Sequence, residues 1–397
     1  MKVNGLIRDL SALKRIGVKR KERILDASPK PLRHDPVKAL ARILHPERSL
    51  LRIDSIIDRS EEVKIIKFTL STEDNSRFPV FQSGQYLSLT IDMDNTSVNR
   101  TFFISSPPFK ASPIIDQEAN CEPYIEIIVV KKENSISNDF IWKNWKLGKE
   151  IKATFPHGRF FYEPLRDSKN LICIAEDAGI SPFYSLVYEI IQKDWDLNLI
   201  IFYKNKSIQN MVLIEDLKKL VEAVPTKLKI IVLNDNQVFN QEIVKLEKDI
   251  INKSTYFVCC SQEMYKNIYE ELIKLKIPNR RIRKQVYGET QDIYDEIDFP
   301  TAAKEKKFKI TILVNQEEKI IESLAKETVL VTLERAGIEK SSHCRSGECG
   351  FCRSRIIEGD IFVNTLVDSR RGKDKEHGYF HPCVSYPISD MTIDILK

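Results

Sequence analysis

The 397-residue chain is too long for one ordinary domain, and its 42% hydrophobic and 30% charged residues are those of a globular protein, not a disordered or fibrous one. Its longest uncharged stretch, residues 78–91, is 14 residues against the roughly 18 of a membrane span, and no basic segment followed by an apolar run opens the sequence, so a cytoplasmic location is expected. The net charge of +5 is unevenly placed: residues 1–50 hold 13 Lys/Arg against 5 Asp/Glu and the rest is net −3, which argues against a nucleic-acid-binding body.

In chain order, residues 1–50 form a basic helical arm. Val3, Leu6, Ile7, Leu10, Leu13 and Ile16 recur at helical spacing with Arg8, Lys14 and Arg15 between them, then Pro29, Pro31 and Pro36 interrupt, and a short helix is predicted over 37–44. Either the arm packs on its own protein, or residues 1–25 contact a membrane surface or a partner. Residues 51–166 change to short alternating runs (51–57, 63–70, 85–91, 124–131, 151–155) separated by turn formers, predicting a small antiparallel β-barrel. Over 167–290, strands alternate four times with amphipathic helices, predicting a doubly wound parallel α/β sheet. Residues 291–307, acidic and Lys-rich without periodicity, read as a linker. Residues 308–397 are a third unit, with two strand-like runs and then a helix near 329–336.

Cysteine placement carries the strongest chemical signal. Cys121, Cys173, Cys259 and Cys260 are scattered, but Cys344, Cys349, Cys352 and Cys383 lie together as C-x4-C-x2-C…C. That is the spacing of plant-type [2Fe-2S] ferredoxins, in which three thiolates come from one tight loop and the fourth from a distant segment. Gly347 and Gly350 suit such a loop, in a chain with only 13 glycines. A zinc site would favour two C-x2-C pairs or Cys with His at matching spacing, and here four thiolates already fill the site. The four cysteines are therefore the expected metal ligands, and the unit an electron carrier. Cys121, Cys173 and Cys260 read as small buried hydrophobes.

Upstream, Phe81-Gln-Ser-Gly-Gln-Tyr86-Leu, then Arg100-Thr-Phe-Phe-Ile-Ser-Ser106, Ser137-Asn138, Leu147-Gly148 and Pro156-His-Gly-Arg-Phe160 follow one another in an order that resembles the ferredoxin–NADP reductase superfamily. The branch is the one fused to a C-terminal ferredoxin domain, shared by oxygenase reductases and hybrid-cluster-protein reductases, and the resemblance covers roughly residues 50–397. It implies a flavin-binding barrel, an NAD(P)-binding-like α/β domain and a β-grasp ferredoxin domain. It also implies flavin contacts at Arg100, Phe102, Phe103, Ser105, Ser137 and Asn138, with Gly179 and Cys259 at the nucleotide. Arg100 suits a phosphate because a planar guanidinium binds oxyanions bidentately, and a helix start at Ser137 offers amides to one. FAD is favoured over FMN through that helix start, and side chains acting as acid or base are not required.

The sequence departs from the family pattern twice. Phe102 and Phe103 replace a Tyr and a Ser/Thr, removing two hydroxyls beside the flavin. Ala175-Glu176-Asp177-Ala178-Gly179-Ile180-Ser181-Pro182 puts two carboxylates where the family's glycines admit a pyrophosphate, and the family's C-G-P becomes Cys259-Cys260-Ser261. Tyr203-Lys-Asn-Lys206 offers lysines for the adenosine end, and the loop at 234–240 is short. Two expectations follow. The first is an NAD(P)H oxidoreductase passing electrons through flavin and the [2Fe-2S] cluster to a separate redox protein. The second is an electron-relay subunit whose NAD(P)H site has degenerated.

Overall fold

The computed structural model describes residues 6–25, 48–72, 77–93, 96–112, 122–131, 135–205, 211, 213–233, 239–287, 293–314 and 317–395. Cys121, Lys206, most of the 234–240 loop and the helix expected over 37–44 lie outside them. The chain divides into residues 1–44 and 45–397. The first unit contains α1 (Leu6–Leu25), 20 residues long, so the helix runs well past Ile16 through the basic run 19–21. Lys and Arg are good helix formers, so the charges do not end it. No described helix is long and apolar enough to cross a membrane.

The second unit opens with β1 (Ser49–Ser60), β2 (Val63–Leu70), β3 (Tyr86–Met93), β4 (Thr96–Phe103), β5 (Ile125–Val130), α2 (Ile136–Asn144) and β6 (Glu150–His157). The six strands are ordered β4-β3-β6-β1-β2-β5, and an Ile104–Ile127 bridge joins the two edges, closing the sheet into a barrel. Alternation places Leu51, Ile66, Phe68, Leu87 and Ile127 inside, capped by Trp145 after α2.

Next come β7 (Asn170–Glu176), α3 (Ser181–Gln192), β8 (Asn198–Lys204), α4 (Ile214–Ala223), β9 (Leu228–Leu233), α5 (Phe239–Ile243), α6 (Lys248–Lys253), β10 (Thr255–Ser261), α7 (Gln262–Lys274) and β11 (Ile282–Tyr287). The five strands are parallel in the order β11-β10-β7-β8-β9, so strand order reverses between β7 and β10. A strand covered on both faces needs no polar side, and 171–175 (Leu-Ile-Cys-Ile-Ala) is buried throughout. Cys173 and Cys259 pack on one face and Cys260 on the other, all as core residues.

The C-terminal unit comprises β12 (Lys307–Val314), β13 (Glu317–Leu324), α8 (Val329–Arg335), β14 (Ser354–Glu358), β15 (Ile361–Phe362), α9 (Gly372–Glu376), β16 (Tyr379–Phe380), β17 (Tyr386–Pro387) and β18 (Met391–Asp394). Its main sheet runs β13-β12-β18-β14-β16, with β12 and β18 parallel at its centre and α8 packed beneath, a β-grasp arrangement. The stretch read as a linker is, from Ile293 on, part of this unit. Ile293, Phe299 and Ala303 are buried against Ala325 and Tyr386. Ile293 and Ala303 sit on two three-residue 3-10 turns, with Phe299 between them, and turns so short have no periodicity to read.

Candidate functional site

The four cysteines meet between α8 and the sheet. The loop from Cys344 to Cys352 bends through left-handed residues Arg345, Gly347 and Gly350 (φ +53°, +78°, +72°). A Cβ on Gly347 would lie 2.8 Å from the Val367 carbonyl, so only glycine fits that bend. The curl aims backbone N–H groups at sulfur: Ser346 N and Cys349 N lie 3.5 and 3.3 Å from Cys344 Sγ. Cys352 Sγ and Cys383 Sγ are 3.4 Å apart. The thiols thus form two pairs, and among the described residues no three His, Cys, Asp or Glu side chains converge on a single ion position. Two thiols per iron is what a two-iron rhomb requires. Within each pair one thiol is held down by its neighbour, Cys344 to about 5 by Cys349, and Cys352 likewise by Cys383. Around the loop, Ser342 Oγ, His343 Nδ1, Ser346 Oγ and His381 Nδ1 are buried without a hydrogen-bond partner among the described residues. Uncompensated buried polar atoms are costly in an empty apolar site and fit a charged cluster at this place.

One side of the loop presses on the barrel. His343 stacks on His157, at the end of β6, with ring centroids 4.6 Å apart, and meets Phe351 at 3.9 Å. Burial lowers both imidazoles, His343 to about 4, so the stack is uncharged at neutral pH. His157 contacts Tyr86 at 5.7 Å, Tyr86 contacts Phe103 at 6.5 Å, and Phe103 contacts Tyr287 at 6.2 Å. A continuous file of rings therefore runs from the end of β11, through β4, to the cysteine loop.

Arg100 stands on the same strand as Phe103. Its Nε donates to Ser137 Oγ at 2.8 Å, and its other nitrogens donate to the Glu334 carboxylate of α8 at 3.3–3.5 Å. Arg345, next to Cys344, donates to the same carboxylate at 2.6 and 3.2 Å. Burial pushes the Glu334 carboxyl up, but the two guanidiniums, Arg345 foremost, hold it below its usual range. Ser137 lies in the first turn of α2, one residue inside its start, so Arg100 holds an oxyanion beside a hydroxyl and a helix start. That donor set fits a flavin phosphate, which would share or take over the guanidinium. The other expected residues have local partners: Asn138 Nδ2 donates to the Val130 carbonyl, Ser105 Oγ to the Glu126 carbonyl, and Phe102 packs on Trp145.

In a doubly wound sheet, ligands bind outside the carboxyl ends of the strands where their order reverses. Here that crevice lies between β7 and β10. Gly179 approaches the Cys259 carbonyl so closely that a Cβ would collide with it. Glu176 crosses the crevice, accepting from Ser261 N at 2.8 Å, and its own carbonyl accepts from the Tyr287 hydroxyl. Asp177 has φ +45°, and its carbonyl accepts from Tyr203 at 3.2 Å. The amide at the start of α7, the kind of donor an anion would use, already holds a carboxylate.

Residues 312–387 match the 2Fe-2S iron-sulfur cluster binding domain family. The C-terminal unit is a [2Fe-2S] ferredoxin domain. The chain as a whole is 20% identical over 354 residues to the ferredoxin reductase component of 3-ketosteroid-9-alpha-monooxygenase of Rhodococcus rhodochrous, covering 87% of this chain and 96% of the relative. It is 23% identical over 312 residues to the carnitine monooxygenase reductase subunit of Escherichia coli strain K12, covering 78% and 87%. Among solved structures it superposes on phthalate dioxygenase reductase with a TM-score of 0.62 at 17% identity, covering 87% of this chain and 98% of that one. The architecture is thus the phthalate dioxygenase reductase fold expected from the sequence: antiparallel barrel, parallel α/β sheet and C-terminal ferredoxin domain. These two relatives are, by name, the reductase component or subunit of monooxygenases.

Sequence reasoning missed Glu334, Arg345, His157, His343 and Tyr287. His343 adjoins a cysteine and His157 sits inside a quoted motif, so both were visible, but their stacking depends on how two domains dock. Arg100 and Glu334 are 234 residues apart and leave no local signature.

Proposed function

We propose that this protein is the reductase component of an oxygenase-type electron-transfer system, carrying electrons from NAD(P)H through a flavin to its [2Fe-2S] cluster and on to a partner protein. The observation that carries the reading is the docking of the cysteine loop, through His343 and Phe351, onto His157 at the end of β6, in ring contact with the strand that bears Arg100 and Phe103. In this reading Arg100 and Ser137 hold the flavin phosphate, FAD being favoured, with Asn138 and Ser105 fixing the surrounding backbone. Phe103 borders the ring, where it excludes water but supplies no hydroxyl, while Phe102, on the opposite face of the strand, packs in the barrel core against Trp145. Gly179 and Cys259 border the nicotinamide crevice, and Cys344, Cys349, Cys352 and Cys383 ligate iron. A bound flavin would accept one hydride, an electron pair, and release the electrons singly, which the one-electron cluster requires. The protein's share is to orient the groups and keep them close.

A second reading is favoured by one contact. Because the Glu176 carboxylate already occupies Ser261 N at the crevice, the chain serves as a relay fed by a protein donor. Anaerobic titration of the cofactor-loaded protein with NADH and then NADPH separates the two. Bleaching of flavin and cluster by either nucleotide supports the reductase; bleaching by dithionite alone supports the relay.

A further inference from the structure

The cysteine loop also has a cationic flank, whose ion pairs all lie within the ferredoxin domain. Arg353 follows Cys352 directly, and Arg355, two residues on, shares its face of β14, where successive side chains alternate. The segment 368–377 lies against the loop, because Ser369 Oγ donates to the Gly347 carbonyl. It brings Arg370, Arg371, Lys373 and Lys375. Within residues 353–355 and 368–377 three carboxylates accompany these six basic residues, and all three are already paired: Asp368 with Arg370 and Lys375, Asp374 with Arg353, and Glu376 with Lys373; Asp394 lies opposite Arg355 across the sheet, and Glu348 is exposed in the loop itself. Arg355 and Arg371 are exposed, and every ion-pair partner in the set lies within the ferredoxin domain. The Arg353 guanidinium, 3.8 Å from the Tyr379 ring centroid, is held in place and not free to swing away. These two segments carry an excess of three positive charges, and the surface stays net positive with Asp394 and Glu348 counted, against the net −3 of residues 51–397 as a whole.

We propose that this rim, centred on Arg353, Arg355, Arg371 and Lys373, is the face through which electrons leave, and that the acceptor is a protein with an acidic surface around its own redox centre. Electrons enter through the His343–Phe351 contact with His157, and none of the rim's ion pairs is made to the barrel. Opposite charge there raises the encounter rate without tying the complex down. The transfer is one electron from the reduced cluster to the acceptor, with no bond made or broken and no proton moved.

The proposal needs only the ferredoxin domain's cluster, so the test bypasses nucleotide. Reduce the full-length protein with stoichiometric dithionite. Then follow cluster re-oxidation in stopped flow against two non-physiological probes: cytochrome b5, which is acidic, and cytochrome c, which is basic. With cytochrome b5 the rate should fall about tenfold between about 10 mM and about 200 mM salt, while with cytochrome c it should rise or stay level. Arg371→Glu/Lys373→Glu should remove the cytochrome b5 salt dependence and leave cluster absorbance intact. Arg355→Glu, outside the loop-contacting segment, should act in the same direction. A wild-type rate with cytochrome b5 that ignores salt, or variants that match the wild type, would overturn the proposal. Absence of cluster absorbance in the wild type would instead sink the reading of the ferredoxin domain itself.

Discussion

Glycine at both Glu176 and Asp177 tests how the crevice treats a nucleotide. A carboxylate about 5 Å from a phosphate charge costs about 3 kcal/mol at an effective dielectric of about 20. Both side chains are partly exposed, so solvent screening reduces this by half or more. The Glu176–Ser261 bond is charge-assisted, worth about 1.5–3 kcal/mol, and an incoming anion must displace it. Together these give about 3–4 kcal/mol, or a factor of about 10² to 10³ in Kd. Glycine also relieves the positive φ at Asp177, and the Tyr287 bond to the residue-176 carbonyl survives because it is made to backbone. The assay is calorimetric titration of oxidised holoprotein with NADH and NADPH, wild type against the double variant. A gain of two orders of magnitude is expected. A micromolar wild-type Kd, unchanged in the variant, would refute the repulsion reasoning and put the pyrophosphate elsewhere.

Cys349→Ser should abolish the visible cluster absorbance; unchanged iron content would remove the ligand assignment. His157→Ala breaks the ring file at the domain boundary, and should slow flavin-to-cluster transfer after photoreduction at least several-fold with both cofactors still bound. Equal transfer rates would show that the stack is only packing. Glu334 has a folded pKa below its ordinary 4.5, so the stability it lends to docking is full above about pH 4.5 and is lost as pH falls through the lower folded value. Limited proteolysis between the domains should therefore accelerate on acidification in the wild type. Glu334→Gln should be cleaved faster at neutral pH and depend less on pH, and identical profiles for the two proteins would reject the linkage.

The parts of the molecule legible in the sequence are those that local physics dictates. Alternation gave five of the six barrel strands, missing β4, the repeated strand–helix pattern gave the parallel sheet, and the spacing of Cys344, Cys349 and Cys352 gave the cluster loop with its two glycines. The Glu176–Asp177 departure was visible as composition, but not that Glu176 would satisfy the Ser261 amide, because that bond crosses two strands 85 residues apart. The same holds for the carboxylate that Arg100 and Arg345 share. Ion pairs between domains are fixed by docking geometry, which no window of sequence contains. The buried 3-10 turns after Ile293 escaped for the opposite reason: they are local, but too short to repeat.

The parallel pairing of β12 with β18 has a consequence for biogenesis. The strand at the middle of the ferredoxin sheet is synthesised after every cysteine it helps to enclose, whereas the barrel and the parallel sheet are complete long before. All four thiols are therefore made before the strand that completes their enclosure. The cluster can be completed only once Cys383 has been made, and until the last strand closes the thiols stand more open to oxygen or a competing metal ion.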